Sequence, residues 1–159
     1  MNKTDQVTVV MYHYVRPLAQ SKYPKIKGLE FSKFKSQLDY IQNNYSVITA
    51  KELVSTKQGI GVLPDNPILL TFDDGYSDHY KYVAPELHKR ELSGLFFPPS
   101  SSVEERKILD VNKIHLILAI APDLSSIAVQ IDEFVRSSDD QSLESLAYYK
   151  SKFFMPNRY

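Results

Sequence analysis

The chain has 159 residues, of which 43% are hydrophobic and 24% charged, the balance of a globular domain able to bury its own core rather than of a disordered or fibrous chain. Lys and Arg number 19 and so do Asp and Glu, so no excess positive charge points to nucleic acid or an anionic membrane surface. Cysteine is absent, which excludes disulfides, thiolate metal sites and a Cys nucleophile, and leaves any metal to His, Asp, Glu and water.

Residues 1–6 are polar, and the apolar run that starts at Val7 is about eight residues long. That is too short to span a bilayer and has the wrong shape for a secretory signal, so the expectation is a cytoplasmic chain with no membrane span. Residues 7–14 (VTVVMYHY) are β-branched and aromatic and predict a buried strand. A polar loop with Pro and Lys follows over residues 16–29. Phe31 opens a helix, because Phe34, Leu38, Ile41 and Tyr45 recur on one helical face. Residues 46–48 predict a short strand. Thr49 with Glu52 three residues on is a capping box for a helix over 50–57.

A Gly- and Pro-containing loop over 58–67 leads to a central strand at 68–72 (ILLTF), ended by Asp73, Asp74 and Gly75. Residues 76–91 predict a helix that Pro85 kinks or restarts. Residues 94–97 (GLFF) predict another buried strand, stopped by Pro98 and Pro99. Strands alternate with helices over the first hundred residues, which argues for an α/β fold with a parallel sheet. Beyond Val103 the pattern is helical only. One stripe is Ile114, Ile117, Leu118 and Ala121, and a second is Ile127, Ile131, Phe134 and Val135. A third is Leu143, Leu146, Ala147 and Phe153.

The segment 68–76 (ILLTFDDGY) carries the chemistry. An apolar strand delivers two adjacent carboxylates to its C-terminal end, where parallel α/β folds bind ligands, and Gly75 lets the chain turn. Side chains alternate along a strand, so Asp73 and Asp74 start out facing different ways. One can hold a metal while the other stays free as a base. Taken alone, a DDG is as readily a turn with one Asp capping the next helix.

TFDDGY at 71–76 resembles the first signature of the polysaccharide deacetylase family, the NodB-homology domain. The strand MYH at 11–13, about 60 residues earlier, and the Gly-x-Phe-Phe strand at 94–97, about 20 residues later, are similar to the family's flanking strands. The resemblance covers residues 7–100. It implies a partial or distorted (β/α) barrel, here with a helical C-terminal extension. Residues 1–102 would form the core and 103–159 the extension, or the start of a truncated region.

The resemblance also implies a hydrolase of carbohydrate metabolism. It would act on carbon–nitrogen bonds other than peptide bonds and remove acetyl groups from an N-acetylated sugar or glycan. A divalent metal, commonly zinc, would acidify a water and polarise the acetamide. Carried over by position, Asp73 would be the general base and Asp74 a metal ligand. Tyr76 and Tyr12 are candidates to contact a sugar face, within a group that includes Tyr14 and Tyr80.

The chain departs from the family at the second signature, a pair of metal-binding His four residues apart. The four His are His13, His79, His88 and His115, and no two share that spacing. Four residues before His115 stands Val111. His115, on the helical segment 110–118, and His13, on the strand face of Val7, Val9 and Met11, are the secondary candidates for metal ligands. His79 lies on the first turns after Gly75. The rival readings are a catalytically inactive glycan-binding or interaction module built on the same scaffold, and an N-terminal fragment of a longer deacetylase.

Overall fold

The computed structural model describes residues 6–138 together with Tyr148 and Ser151. Strand β1 runs Thr8–Tyr12, and a short parallel pair is formed by β2, Val15–Arg16, and β3, Leu29–Glu30. Helix α1 is Phe31–Asn44, β4 is Ser46–Val47, α2 is Ala50–Lys57 and β5 is Pro67–Asp73. A π-helical stretch, His79–Val83, continues into α3, Ala84–Lys89, and β6 is Leu95–Phe97. Three helices follow: α4, Ser100–Glu104; α5, Asp110–Ile120; and α6, Leu124–Ser137. Among the described residues no strand follows β6.

The main sheet is wholly parallel and centred on β5. β1 runs beside it over five residues, from Thr8 opposite Ile68 to Tyr12 opposite Phe72. On the other edge β4 meets its start, with Val47 opposite Ile68, and β6 meets its end, with Asp73 opposite Phe97. Burial on both faces explains why β5 is almost uniformly apolar. Ile68, Leu70 and Phe72 point to one face, where Phe34, Leu38 and Ile41 of α1 and Val83 and Leu87 of the π/α3 segment complete the largest core cluster. Leu69 points to the other, with Ile48 and Leu63. Asp73 continues the Leu69–Thr71 face by strand alternation.

The periodic helix at 31–44 and the capped helix at 50–57 fold as their sequence predicts. Thr49 Oγ1 accepts from the Glu52 N–H, and the Glu52 carboxylate accepts from the Thr49 N–H at 2.7 Å, so both halves of the capping box are present. Two differences matter for the site. The predicted strand 7–14 breaks after Tyr12, because the backbone C=O groups of His13 and Tyr14 leave the ladder for other donors. His13 O accepts from His79 Nε2 at 2.8 Å and Tyr14 O from the Leu29 N–H at 2.8 Å. The predicted helix 76–91 begins with a π-helical stretch, and Pro85 sits where that stretch passes into α3, so the prolyl ring that supplies no N–H coincides with the change of helix type.

Backbone packing divides the chain into two units, Met1–Ala119 and Ile120–Tyr159. In the first, α5 does not bury the expected stripe: Ile114, Ile117 and Leu118 are exposed, while Asn112 and Ala119 are buried and Leu116 half-buried. The inward face therefore joins the polar Asn112 to Leu116 and Ala119, a stripe that hydropathy periodicity does not pick out. In the second unit, α6 is capped by Asp123, whose carboxylate accepts from the Ser125 and Ser126 N–H groups. The expected stripe through Leu143, Leu146, Ala147 and Phe153 lies outside the described residues. Among the described residues no helix is long and apolar enough to cross a membrane.

Candidate active site at the C-terminal end of the central strand

Asp73 is the last residue of β5, and the chain then turns through two left-handed residues, Asp74 at φ +71° and Gly75 at φ +61°. Asp tolerates that conformation better than most side chains because its short polar group can bond locally. Gly75 is required twice over. Its φ is positive, and a Cβ placed there would stand 2.8 Å from Pro98 Cβ. The turn is thus clamped by the residue that stops β6.

The two carboxylates end in different surroundings. Asp73 is half-buried, and its carboxylate has no hydrogen-bond or ion-pair partner among the described residues. Asp74 Oδ2 accepts the Tyr76 O–H at 2.5 Å. The Tyr76 oxygen is also 2.9 Å from the side-chain amide of Asn112 on α5, and the Tyr14 oxygen is 3.4 Å from the same amide. One phenolic proton cannot serve two acceptors. The charged carboxylate takes it, and turning the Asn112 amide over puts its Nδ2 toward both phenol oxygens as a donor. Asn112 then holds Tyr76 and Tyr76 holds Asp74.

The aromatic rings build the wall of this site. Tyr14 and Tyr76 stack at 4.0 Å, and the His115 ring meets Tyr14 edge-on at 5.9 Å. Burial first, then the hydrogen bonds with Asp74 and Tyr14, drive the Tyr76 hydroxyl far above the usual phenol range, so it stays protonated. Behind Tyr76, His79 is buried against Phe72 and Phe96, its Nε2–H donating to His13 O. Its Nδ1 is buried with no partner. Burial holds the imidazole below its usual pKa, more strongly than the bond to His13 and the nearby Asp78 and Asp74 carboxylates raise it.

Of the residues singled out from the sequence, Asp73, Asp74 and Tyr76 lie together, and His115 reaches the cluster only through the Tyr14 ring. The His13 imidazole is exposed, and its residue serves by its carbonyl. Tyr12 lies elsewhere, in the core between Phe34 and Phe72, with ring centroids 5.2 Å from each. Tyr80 is exposed. Among the described residues no three His, Cys, Asp or Glu side chains gather as a metal-holding group, so Asp74, His13 and His115 do not meet as one. Tyr14, named in the sequence among the aromatic residues near the site, does line it, whereas Asn112 did not stand out in the sequence. The usable signal was Asn112 three residues before His115, which puts both on one face of the helix.

No family model matches the chain. It is 26% identical over 102 residues to a Bacillus subtilis protein named "Putative polysaccharide deacetylase YxkH", a match that takes in 64% of this chain and 34% of that protein. The fold is similar to that of a de-N-acetylase from Aggregatibacter actinomycetemcomitans, with TM-score 0.57 and 21% identity over 82% of this chain and 51% of the other. It is also similar to the Streptococcus pyogenes deacetylase PplD, solved in complex with acetate, with TM-score 0.51 and 18% identity over 68% and 50%. The chain spans about a third of the curated relative's length and about half of the two solved chains. The sequence is thus similar to that of one protein named a polysaccharide deacetylase, and the α/β fold is that of the two solved deacetylases.

Proposed function

We propose that the chain is a polysaccharide deacetylase-type hydrolase that removes acetyl groups from an N-acetylated glycan. The observation that carries this reading is the pair of adjacent carboxylates at the end of β5, one without a partner among the described residues and one bonded to Tyr76. The parallel sheet is read as part of a distorted (β/α) barrel, whose strand ends collect catalytic groups.

Asp73 is assigned as general base. It takes a proton from a water as the water oxygen bonds to the acetamide carbon. Collapse of the tetrahedral intermediate breaks the C–N bond, Asp73 returns the proton to the leaving nitrogen, and acetate and a free amino sugar result. Asp74 is assigned as the positioned partner. It is held by Tyr76, which is itself held by Asn112 and stacked on Tyr14, a ring wall suited to the apolar face of a sugar. A divalent ion would polarise the acetamide and acidify the water. The described residues do not offer the donor set for one at Asp74, and no step here is routed through it.

That same shortage of donors favours a second reading, a glycan-binding module without catalysis. Acetate release from N-acetylated oligosaccharides, with Asp73→Asn as control, separates the two. Release lost in the variant supports the hydrolase, and saccharide binding with no release supports the module.

A further inference from the structure

We propose that the polar pocket between the loop after β2 and the start of the π-helical stretch is an oxyanion-binding subsite, which takes a carboxylate or phosphate group carried by an acidic glycan. The substrate class rests on the glycan reading above, while the anion chemistry stands on the pocket itself. The pocket has a volume of about 350 Å³ and is lined by Arg16, Ser21, Lys22, Ser77, Asp78 and Lys81, among others.

Arg16 is built into this place. Its Nε–H donates to Asp78 Oδ2 at 2.5 Å, and its guanidinium stands 5.3 Å over the Tyr14 ring. Only 16% of the Arg16 side chain and 7% of the Asp78 side chain remain exposed, so the pair is fixed rather than waving in solvent. Asp78 engages Nε alone. Among the described residues the terminal Nη1 and Nη2 groups make no hydrogen bond, and neither is among the buried polar atoms left without a partner. Arg16 lines the pocket, so these N–H donors are the ones it can offer there. A guanidinium held at Nε with its Nη edge free presents two N–H groups in the geometry that carboxylate and phosphate oxygens accept.

The charge balance leaves room for an anion. Arg16 and Asp78 offset each other, whereas Lys22 and Lys81 have no carboxylate partner among the described residues. A bound oxyanion would be countered by both. The pocket also adjoins the candidate site. Ser77 follows Tyr76 directly, and the Tyr14 ring contacts both the Arg16 guanidinium and the Tyr76 ring. Tyr14 and Tyr76 thus link Arg16 to Asp74 through a chain of contacts.

The test is an NMR titration of the protein with inorganic phosphate and, separately, with glucuronate, at ionic strength fixed with chloride. N-acetylglucosamine serves as the neutral control. The expected result is saturable shifts of the Arg16 Nε–H and the Ser77 amide with one or both oxyanions. Lys22→Gln and Lys81→Gln each weaken binding about two- to five-fold, the range of an exposed ion pair. Saturation by phosphate alone assigns a phosphorylated glycan, and saturation by glucuronate alone a uronate. A response to chloride equal to that of either oxyanion, no saturation with either, or unchanged affinity in the folded double variant would overturn the subsite. Because the readout is binding, a failure to release acetate leaves this result standing, and a failed titration leaves the hydrolase reading untouched.

Discussion

Replacing Tyr76 by Phe tests the network that holds Asp74. The substitution keeps the ring that stacks on Tyr14 at 4.0 Å and removes only the oxygen. Two contacts go with it, the 2.5 Å bond to Asp74 Oδ2 and the 2.9 Å contact with the Asn112 amide. A hydrogen bond to a charged group contributes about 1.5–3 kcal/mol. Asp74 is half-exposed and regains water, so the low end of that range applies. Asn112 is buried, and its amide keeps only the 3.4 Å contact with Tyr14, which adds about 0.5–1 kcal/mol for a partly unsatisfied group. The expected loss is about 2 kcal/mol, or about 4–8 °C in melting temperature for a chain of this size. Thermal and urea unfolding followed by circular dichroism measure it. Asn112→Ala in the same background should be non-additive by at least about 0.5 kcal/mol, because both variants cut one chain of bonds. A loss below about 0.5 kcal/mol with strict additivity would refute the network.

Two further perturbations follow from the same region. Gly75→Ala must carry a side chain at φ +61° and press a Cβ against Pro98, so urea unfolding should show a loss of about 2–4 kcal/mol; an unchanged midpoint would mean the turn is not clamped as described. His79 is a base whose folded pKa is depressed by burial, so below the ordinary pKa of about 6.5 the unfolded chain takes the proton first. Its contribution is full above that pH and is lost as pH falls toward the folded value. His79→Gln, which can still donate to His13 O, should flatten this acid limb in a stability-versus-pH series, and an unaltered limb would show that His79 does not set it.

The elements that were legible in the sequence are those written in local patterns. The helical spacing of Phe34, Leu38 and Ile41 gave α1, the Thr49–Glu52 box gave α2, and the unbroken apolar run before Asp73 gave a buried parallel strand. The turn and the clustering of Asp73, Asp74 and Tyr76 are legible for the same reason, since they are neighbours in the chain. What was not legible depends on long-range pairing. Asn112 meets Tyr76 across 36 residues and Tyr14 across 98, and neither side chain looks unusual in its own window. The break at His13 comes from a carbonyl captured by His79, 66 residues away. The inward face of α5 joins Asn112 to Leu116 and Ala119, and the apolar residues around the rest of its circumference hide that choice.

The central claim is that Asp73 is the base of a hydrolytic deacetylation. The most direct measurement is the rate of acetate release from an N-acetylated oligosaccharide by the wild-type chain and by Asp73→Asn, with unfolding curves run on both. Loss of a general base should cut the rate about 100- to 10,000-fold while the unfolding midpoint stays within about 0.5 kcal/mol, since the Asp73 carboxylate has no partner to lose among the described residues. Equal rates for the two proteins, or no release from either while the glycan still binds, would contradict the claim.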